Sequence, residues 1–272
     1  MLCSLLRERF IFRKIMEDIY KEIVRIRESG EKAALATIVS RKGSTPRKES
    51  AKMLIKNDGS IIGSIGGGCV EGQVWDDAKE VIKKGKSKIL HFDLTNEEIA
   101  LDGLACGGKM DVLIEPILPV PTMFIFGAGH ISLPLCKIAK IAGFRVVIID
   151  DRDIFANRER FPDADEIIVE SFETVFNKLR MNDSSYLVIV TRGHLYDEKV
   201  LELSLRTKTK YVGMIGSKRK IKTIFTNLKS RGATQAQLEK IYTPIGLPID
   251  AETPEEIAVS IMAEVIKVKQ DE

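Results

Sequence analysis

The sequence contains few cysteines and no long apolar stretch, and each shortage excludes a class of protein. Its 272 residues include four cysteines at wide intervals, which do not form the disulfide framework of a small secreted domain. No run approaches the ~18 consecutive apolar residues that a membrane-spanning helix needs. We therefore expect a cytoplasmic protein with reduced thiols and no membrane association.

Net charge is also nearly absent. The 42 basic and 39 acidic side chains leave a formal charge of +3, which argues against a polybasic protein that binds nucleic acid or membrane surfaces. A hydrophobic fraction of 44% beside 30% charged residues is typical of a chain that folds around a core. The sequence shows no internal repeat and no low-complexity segment. Its length favours two domains.

The first part of the chain predicts an α+β domain. Its predicted elements are a helix at about 16–29, strands at 34–39, 53–56, 60–63, 88–93 and 110–115, and a helix at about 69–84. The turn sequence Asn57-Asp58-Gly59 joins two of these strands as a hairpin. Pro116, Pro119 and Pro121 predict a linker, so we place this domain at residues 16–118. We expect the first 15 residues to be an extension without a function.

Beyond the linker, short apolar strands alternate with helices. The predicted strands are 123–126, 145–150, 166–169, 186–190 and 211–215, and the predicted helices lie near 131–142, 173–180, 197–206 and 217–231. This alternation favours a doubly wound parallel sheet with helices on both faces, which we place at residues 122–272. Thr253, Pro254 and Glu256 form a capping-box pattern that begins a last helix.

A glycine-containing turn follows the first strand of the second domain directly. Gly127 permits a tight strand-to-helix turn, and Gly129 lets the backbone approach a phosphate at the helix N-terminus. Asp150 ends the next strand, where an acidic residue commonly holds a ribose hydroxyl. This spacing predicts a Rossmann-like domain that binds a nucleotide or another phosphate-bearing ligand. The alternative is a domain of this fold that binds nothing.

A second polar cluster follows the fourth strand of the same sheet. Arg192 and His194 lie there, and in the strand order 3-2-1-4-5 His194 should face His130 across one crevice. We expect a polar ligand site, because two histidines alone are too few for a metal centre. After the fifth strand, Ser217 and Lys218 begin a basic helix that would clamp an anion. The alternative for each histidine is a helix cap or a packed surface residue. The alternative for the basic segment is a solvated helix start.

The third candidate site lies in the first domain, where Gly66, Gly67 and Gly68 precede a predicted helix. Successive glycines expose backbone amides that bind anions at a helix N-terminus. Cys69 lies in the first helical turn, where the helix dipole favours a thiolate. Cys106 is followed by Gly107 and Gly108, which leave it open to a bulky ligand.

Two residues upstream suit the same chemistry. Ser44 supplies a hydroxyl and Arg47 a guanidinium, and both groups bind phosphate. The cysteines are not spaced as Cys-x-x-Cys, so a structural zinc site is poorly supported. Cys136 has the apolar helical spacing of a core residue. The alternative for this region is tight glycine turns around buried, unreactive cysteines.

These motifs together resemble one known family. The residues that carry the resemblance are Gly43-Ser44-Thr45-Pro46-Arg47, Gly66-Gly67-Gly68-Cys69-Val70-Glu71, Cys106-Gly107-Gly108, Phe126-Gly127-Ala128-Gly129-His130, Thr191-Arg192-Gly193-His194, Gly213-Met214-Ile215-Gly216-Ser217 and Ala251-Glu252-Thr253-Pro254-Glu255-Glu256-Ile257-Ala258. They look like the signature of the XdhC/CoxI family and its C-terminal Rossmann domain. The match runs in order over nearly the whole chain from about Met16.

The resemblance implies a maturation factor for molybdenum hydroxylases such as xanthine dehydrogenase or carbon monoxide dehydrogenase. Such a chaperone binds molybdenum cofactor, protects it during sulfuration by a cysteine desulfurase and delivers it to the apo-enzyme. The resemblance also implies a homodimer. Cys69 and Cys106 are the candidates for a molybdenum contact, since a thiolate ligates metal or accepts sulfur.

A second function from another class stays open. The second domain would also suit an NAD(P)-dependent oxidoreductase, and NAD(P) or another nucleotide is a candidate ligand beside the pterin. The sequence shows no lysine–tyrosine pair for hydride transfer beside the glycine turn. A cofactor-insertion chaperone is therefore the interpretation that we prefer.

Overall fold

The computed structural model describes residues 19–43, 49–94 and 108–270. The chain divides into two compact units between Pro119 and Val120. The elements of the first unit are α1 (19–29), β1 (Ala33–Lys42), β2 (Lys52–Lys56), β3 (Ile61–Gly63), α2 (Gly68–Lys84), β4 (Lys88–Asp93) and β5 (Lys109–Ile117). Its strands form an antiparallel sheet in the order β3-β2-β1-β5-β4.

Alternating side chains of β1 divide the apolar residues of this unit between two faces. Ala34, Ala36 and Ile38 pack with the apolar stripe of α2 on one face. Ala33 and Leu35 pack with α1 on the other face. Successive side chains of a strand point to opposite faces, so a continuous apolar run forms a sheet covered on both sides.

The predicted hairpin is confirmed, and α2 buttresses its turn. β2 and β3 pair antiparallel on either side of residues 57–60. The Trp75 indole N–H donates to the Gly59 carbonyl at 2.9 Å, which ties α2 to the turn. At the other end of α2, Gly85 takes a left-handed conformation with φ of 66°, so the predicted glycine stop is also confirmed. The predicted start of α1 at Met16 lies outside the described residues.

Pro116 is part of a strand, whereas the sequence placed it in a linker. It pairs with Ala34 of β1 near the end of β5. On its other side, β4 pairs with β5 only as far as Ile114. Pro116 thus has one strand neighbour, and a proline is tolerated where a strand edge requires no N–H donor.

The second unit contains a parallel sheet. Its strands are β6 (Thr122–Phe126), β7 (Arg145–Asp150), β8 (Glu166–Val169), β9 (Ser185–Ile189) and β10 (Tyr211–Met214). Its helices are α3 (Ser132–Ile141), α4 (Phe172–Phe176), α5 (His194–Ser204), α6 (Lys218–Ser230), α7 (Gln235–Leu238) and α8 (Pro254–Gln270). α7 was missed in the sequence, and α4 is shorter than predicted.

The predicted doubly wound fold is confirmed. The strand order is β10-β9-β6-β7-β8, which is the expected order 3-2-1-4-5 counted within this unit. One face of the sheet packs against α3 and α8 around residues such as Ile125 and Ile261. The other face packs against α4, α5 and α6 around residues such as Phe126 and Ile224. The carboxyl ends of β6 and β9 therefore lie side by side, with a glycine turn after β6.

Among the described residues, no helix combines the length and apolar character needed to cross a membrane.

The capping box of α8 is confirmed and yields a first prediction. The Thr253 hydroxyl accepts from the Glu256 N–H at 3.2 Å, and Glu256 accepts from the Thr253 N–H at 3.1 Å. Thr253→Ala removes the first of these bonds, so we expect the free energy of unfolding to fall by about 1 kcal/mol in chemical denaturation. The control is Thr226→Ala within α6, which removes no cap and should change stability by at most ~0.5 kcal/mol. Equal losses in the two variants would contradict the assignment.

Candidate functional site

A crevice of about 310 Å³ opens at the carboxyl ends of β6 and β9. Its lining residues come from the turns after these strands and from the segment after β7. They are Gly127, Gly129, His130, Ile131, Arg152, Phe155, Val190, Thr191 and Arg192. A crevice at this edge of a doubly wound sheet is the usual ligand position of the fold.

The two glycines of the turn have different roles. Gly127 has φ of +105°, and a Cβ atom there would lie 2.5 Å from the Val190 carbonyl oxygen, so only glycine fits. At Gly129 a Cβ atom would meet no atom of the described chain within 4 Å. The space beside the Gly129 backbone is therefore open among the described residues. Ser132 replaces the third glycine and donates its hydroxyl to the Gly127 carbonyl.

Asp150 does not face a ligand in the way that the sequence predicted. It is 1% exposed, and its Oδ2 accepts from the Ala128 N–H at 2.8 Å and from Arg152 Nη2 at 3.0 Å. Its Oδ1 accepts from the Arg152 backbone N–H at 3.1 Å and from Nε at 2.8 Å. Burial opposes ionisation, but these hydrogen bonds outweigh it and hold the pKa of Asp150 below its ordinary value. The carboxylate holds the turn after β6 through the Ala128 N–H, and Arg152, rather than Asp150, lines the crevice.

Two arginines line the crevice. Arg152 stacks on the Phe155 ring, with Cζ 4.0 Å from the ring centre, and its hydrogen bonds to Asp150 raise its pKa. Arg192 forms an ion pair with Asp151 and a hydrogen bond to the Tyr196 hydroxyl. The hydrogen bonds with Asp151 raise the pKa of Arg192. Both guanidiniums are thus fixed in place and charged.

A buried carboxylate holds the opposite wall of the crevice. Asp197 is fully buried, and its Oδ1 accepts from the Thr191 N–H at 3.1 Å and from the Thr191 hydroxyl at 2.6 Å. Its Oδ2 is paired with Lys220. This chain of contacts fixes the turn after β9 against the N-terminal turn of α6.

The remaining predicted residues of this unit are two histidines and two residues at the start of α6. His130 is exposed and lines the crevice. His194 is the exposed first residue of α5 and is not among the residues that line the crevice. Ser217 caps α6 by accepting from the Lys220 N–H at 3.4 Å, and Lys218 is exposed in the first turn. Ser217 is therefore the N-cap of α6.

In the first unit, the protein's own carboxylate occupies part of the predicted anion nest. Glu71 Oε1 accepts from the Ile65 N–H at 3.1 Å, the Gly66 N–H at 3.2 Å and the Ser64 hydroxyl at 2.6 Å. Burial opposes ionisation, but these hydrogen bonds and one from the Gly67 amide outweigh it and lower the pKa of Glu71. The amides of residues 65 and 66 therefore have an internal partner. Gly68 begins α2 with φ of 62°.

The cysteines differ in exposure. Cys69 is exposed in the first turn of α2, while Cys136 is buried in the core as predicted, and burial raises the pKa of its thiol to about 11. Cys106, Ser44 and Arg47 lie outside the described residues. Within the described part of the chain, no group of three or more His, Cys, Asp or Glu side chains is placed to hold a metal ion.

Three residues that shape these sites were missed in the sequence. Arg152 follows the strand-end acid by two positions, and a cation that close to a buried carboxylate is a signal that was present. No sequence signal marks Phe155, because an aromatic residue in a loop does not by itself indicate a ligand site. Glu71 lies in the first helical turn after the glycines, the position of a capping acid.

Two family models match the chain. The model described as the XdhC and CoxI family matches residues 26–93. The model described as the XdhC Rossmann domain matches residues 123–265, which is more than half of the chain. The described glycine loop of the first unit and the whole crevice of the second unit lie within these matches.

Curated relatives cover most of the chain. The uncharacterized protein YqeB of Escherichia coli is 31% identical over 255 residues, which are 93% of this chain and 47% of YqeB. The chain thus spans about half the length of that relative. A probable xanthine dehydrogenase subunit of Bacillus subtilis is 25% identical, with 89% of this chain and 95% of that protein covered. The molybdenum cofactor insertion chaperone PaoD of Escherichia coli is 23% identical, with 89% and 85% covered.

One solved structure shares the fold. The crystal structure of a xanthine dehydrogenase from Bacillus halodurans matches with a TM-score of 0.52 and 24% sequence identity. The match covers 92% of this chain and 95% of that chain. It shows a similar fold.

The internal partner of the glycine loop yields a prediction with a pH dependence. Because the folded-state pKa of Glu71 is lowered, its stabilisation is present above the unfolded pKa of about 4.3 and is lost as the pH falls through the folded value. Glu71→Gln should lower the free energy of unfolding by about 1 kcal/mol at pH 7, a figure discounted for partial exposure. The difference from the parent should shrink below pH 4 in urea unfolding curves. Glu28→Gln on the exposed side of α1 is the control, and a loss at Glu71 that does not depend on pH would contradict the assignment.

Proposed function

Because the chain belongs to the XdhC and CoxI family, we propose that it is an accessory protein that binds molybdenum cofactor and inserts it into a hydroxylase of the xanthine dehydrogenase type. Two relatives support this role by their names, which describe a molybdenum cofactor insertion chaperone and part of a probable xanthine dehydrogenase. We further propose that the cofactor is protected during sulfuration by a cysteine desulfurase. The partners in this role are the desulfurase, the apo-hydroxylase and a second copy of the chain.

The open backbone at Gly129 is the observation that carries the proposal. Molybdenum cofactor is a pterin with a phosphate group, and phosphate binds where free amides and a helix N-terminus meet. Among the residues that the structure describes, no atom lies within 4 Å of a Cβ atom built at Gly129. α3 begins at Ser132 just beyond it, and the guanidiniums of Arg152 and Arg192 line the same crevice. These donors fit an anionic ligand of this kind.

The first unit supplies the candidate for sulfur chemistry. Cys69 is exposed at the N-terminal turn of α2, and its neighbour Gly67 leaves open space where a side chain would stand. A thiolate at such a position ligates a metal or accepts sulfur. We propose that Cys69, assisted by Cys106, contacts the cofactor. Cys136 is buried and takes no part.

Gly129→Val tests whether the crevice holds the cofactor. The new side chain would enter open space, so the variant should fold, but it would occupy the volume that the phosphate needs. We expect the parent to co-purify with cofactor when the cofactor is overproduced. The variant should retain at least about tenfold less, because it loses the amide contacts of an anionic group. Elemental analysis for molybdenum and fluorescence of the oxidised pterin measure the retained amount.

The matched control is Gly72→Val on α2, where the added Cβ atom also meets no protein atom within 4 Å. It should retain as much cofactor as the parent. Equal retention by Gly129→Val and the parent would place the cofactor elsewhere. Turnover of a nicotinamide cofactor with an aldehyde or purine by the purified protein would favour the oxidoreductase instead.

The double variant Cys69→Ser, Cys106→Ser tests the sulfur contact. Serine keeps the size of the side chain but cannot supply a thiolate, so the fold should persist while activation of the apo-hydroxylase falls. The measurement is hydroxylase activity after incubation with cofactor-loaded protein. Cys136→Ser is the control, and it should lower the melting temperature while leaving activation unchanged, because it puts a hydroxyl into a buried site. Full activation by the double variant would show that both cysteines are structural.

A further inference from the structure

The carboxylate of Asp150 has no capacity left for a ribose. A carboxylate offers roughly four lone-pair positions. Oδ2 is occupied by the Ala128 N–H and Arg152 Nη2, and Oδ1 by the Arg152 backbone N–H and Nε. A ribose diol binds a Rossmann domain by donating to the acid at this position. Such a diol would find its acceptor saturated here.

Arg152 presents the opposite chemistry to the same part of the crevice. Its two side-chain bonds to Asp150 use two of the five N–H donors of a guanidinium. Among the described residues, no acceptor other than Asp150 lies within hydrogen-bonding distance of this guanidinium. The Phe155 ring lies 4.0 Å from its Cζ and lines the crevice with it. The guanidinium is therefore fixed on two sides with donors to spare.

Two aspartates balance the charges of Arg152 and Arg192, but neither of them is among the residues that line the crevice. Asp151 makes a two-bond contact with Arg192 and lies 3.8 Å from Arg152 Nε, and Asp150 is buried behind Arg152. The charged side chains that line the crevice within the described chain are the two arginines. A bidentate guanidinium is well suited to a phosphate.

We propose that the crevice has a second anion subsite at Arg152, so that its ligand carries two separate anionic groups. One group lies on the open amides at Gly129 and the other on the guanidinium of Arg152. The subsite selects a phosphate over a ribose diol. This inference rests on the proposed function for the identity of the crevice as the ligand site. A phosphate-bearing pterin and a nucleotide with a phosphorylated ribose share this chemistry.

The first arm of the experiment uses NADP⁺ and NAD⁺, which differ by one phosphate on the ribose. Isothermal titration should give the parent a preference of at least about tenfold for NADP⁺, the scale of one charge-assisted hydrogen bond. Arg152→Gln should lose this preference, because it removes the guanidinium that binds the extra phosphate of NADP⁺ and frees Asp150 to accept from the diol of NAD⁺. A structural role of Arg152 would instead weaken both dinucleotides by one factor.

Two further variants keep this arm decisive. Arg160→Gln is the matched control, since Arg160 stacks on the same Phe155 ring at 5.0 Å but does not line the crevice. It should keep the preference of the parent. Arg152→Lys retains a cation beside Asp150 without the planar fork, so it should fold and keep a reduced preference even where the glutamine variant does not fold.

The second arm repeats cofactor co-purification with Arg152→Gln and Arg160→Gln. If Arg152→Gln retains less cofactor and the parent binds the two dinucleotides equally well, the pterin is the source of the second anion. If Arg152→Gln loses the preference for NADP⁺ but retains as much cofactor as the parent, the second anion belongs to a nucleotide. If the Arg152 variants change neither measurement, the subsite does not exist. A parent protein that neither retains cofactor nor activates a hydroxylase overturns the proposed function but leaves the dinucleotide comparison intact.

Discussion

The crevice depends on the hydrogen bonds that the carboxylate of Asp150 accepts. This carboxylate joins three pieces of chain: the end of β7, the glycine turn after β6 through the Ala128 amide, and the loop that carries Arg152. A buried charge persists only when its lone pairs are satisfied, and here four donors satisfy them. Loss of any one donor would leave a lone pair of this buried carboxylate without a partner. The position of Arg152 in the crevice is therefore a consequence of how the fold stabilises this acid.

Much of the backbone could be predicted because the patterns that specify it are local. The Asn57-Asp58-Gly59 turn, the Gly85 stop and the Thr253 cap act through residues at most four apart in sequence. The alternation of strands and helices then leaves few topologies, and the strand order 3-2-1-4-5 is the observed one. Pro116 was misassigned because its tolerance depends on where β4 stops pairing, which is a property of the neighbouring strand.

The side-chain partners of the candidate sites could not be predicted in the same way. Asp150 was expected to contact a ligand, and the role of Glu71 was missed, but each accepts hydrogen bonds from the glycine-containing loop beside it. Polar groups that fold into a partly buried turn take the nearest partners available, because an unmet hydrogen bond is costly. Which partner a polar group takes depends on the exact distances in the folded chain, and these distances cannot be read from the spacing of residues in the sequence.

This difference separates the two glycine loops that look alike in sequence. Both precede a helix and both expose amides, but the carboxylate of Glu71 already lies on the amides of residues 65 and 66. An external anion there would have to displace a carboxylate whose lowered pKa keeps it charged and bound. At Gly129 no group of the described residues occupies the space, and the nearby acid, Asp150, is held by Arg152 and the Ala128 amide. The loop after β6 thus keeps open the space that a phosphate would need, whereas the loop before α2 leads into the helical turn that exposes Cys69.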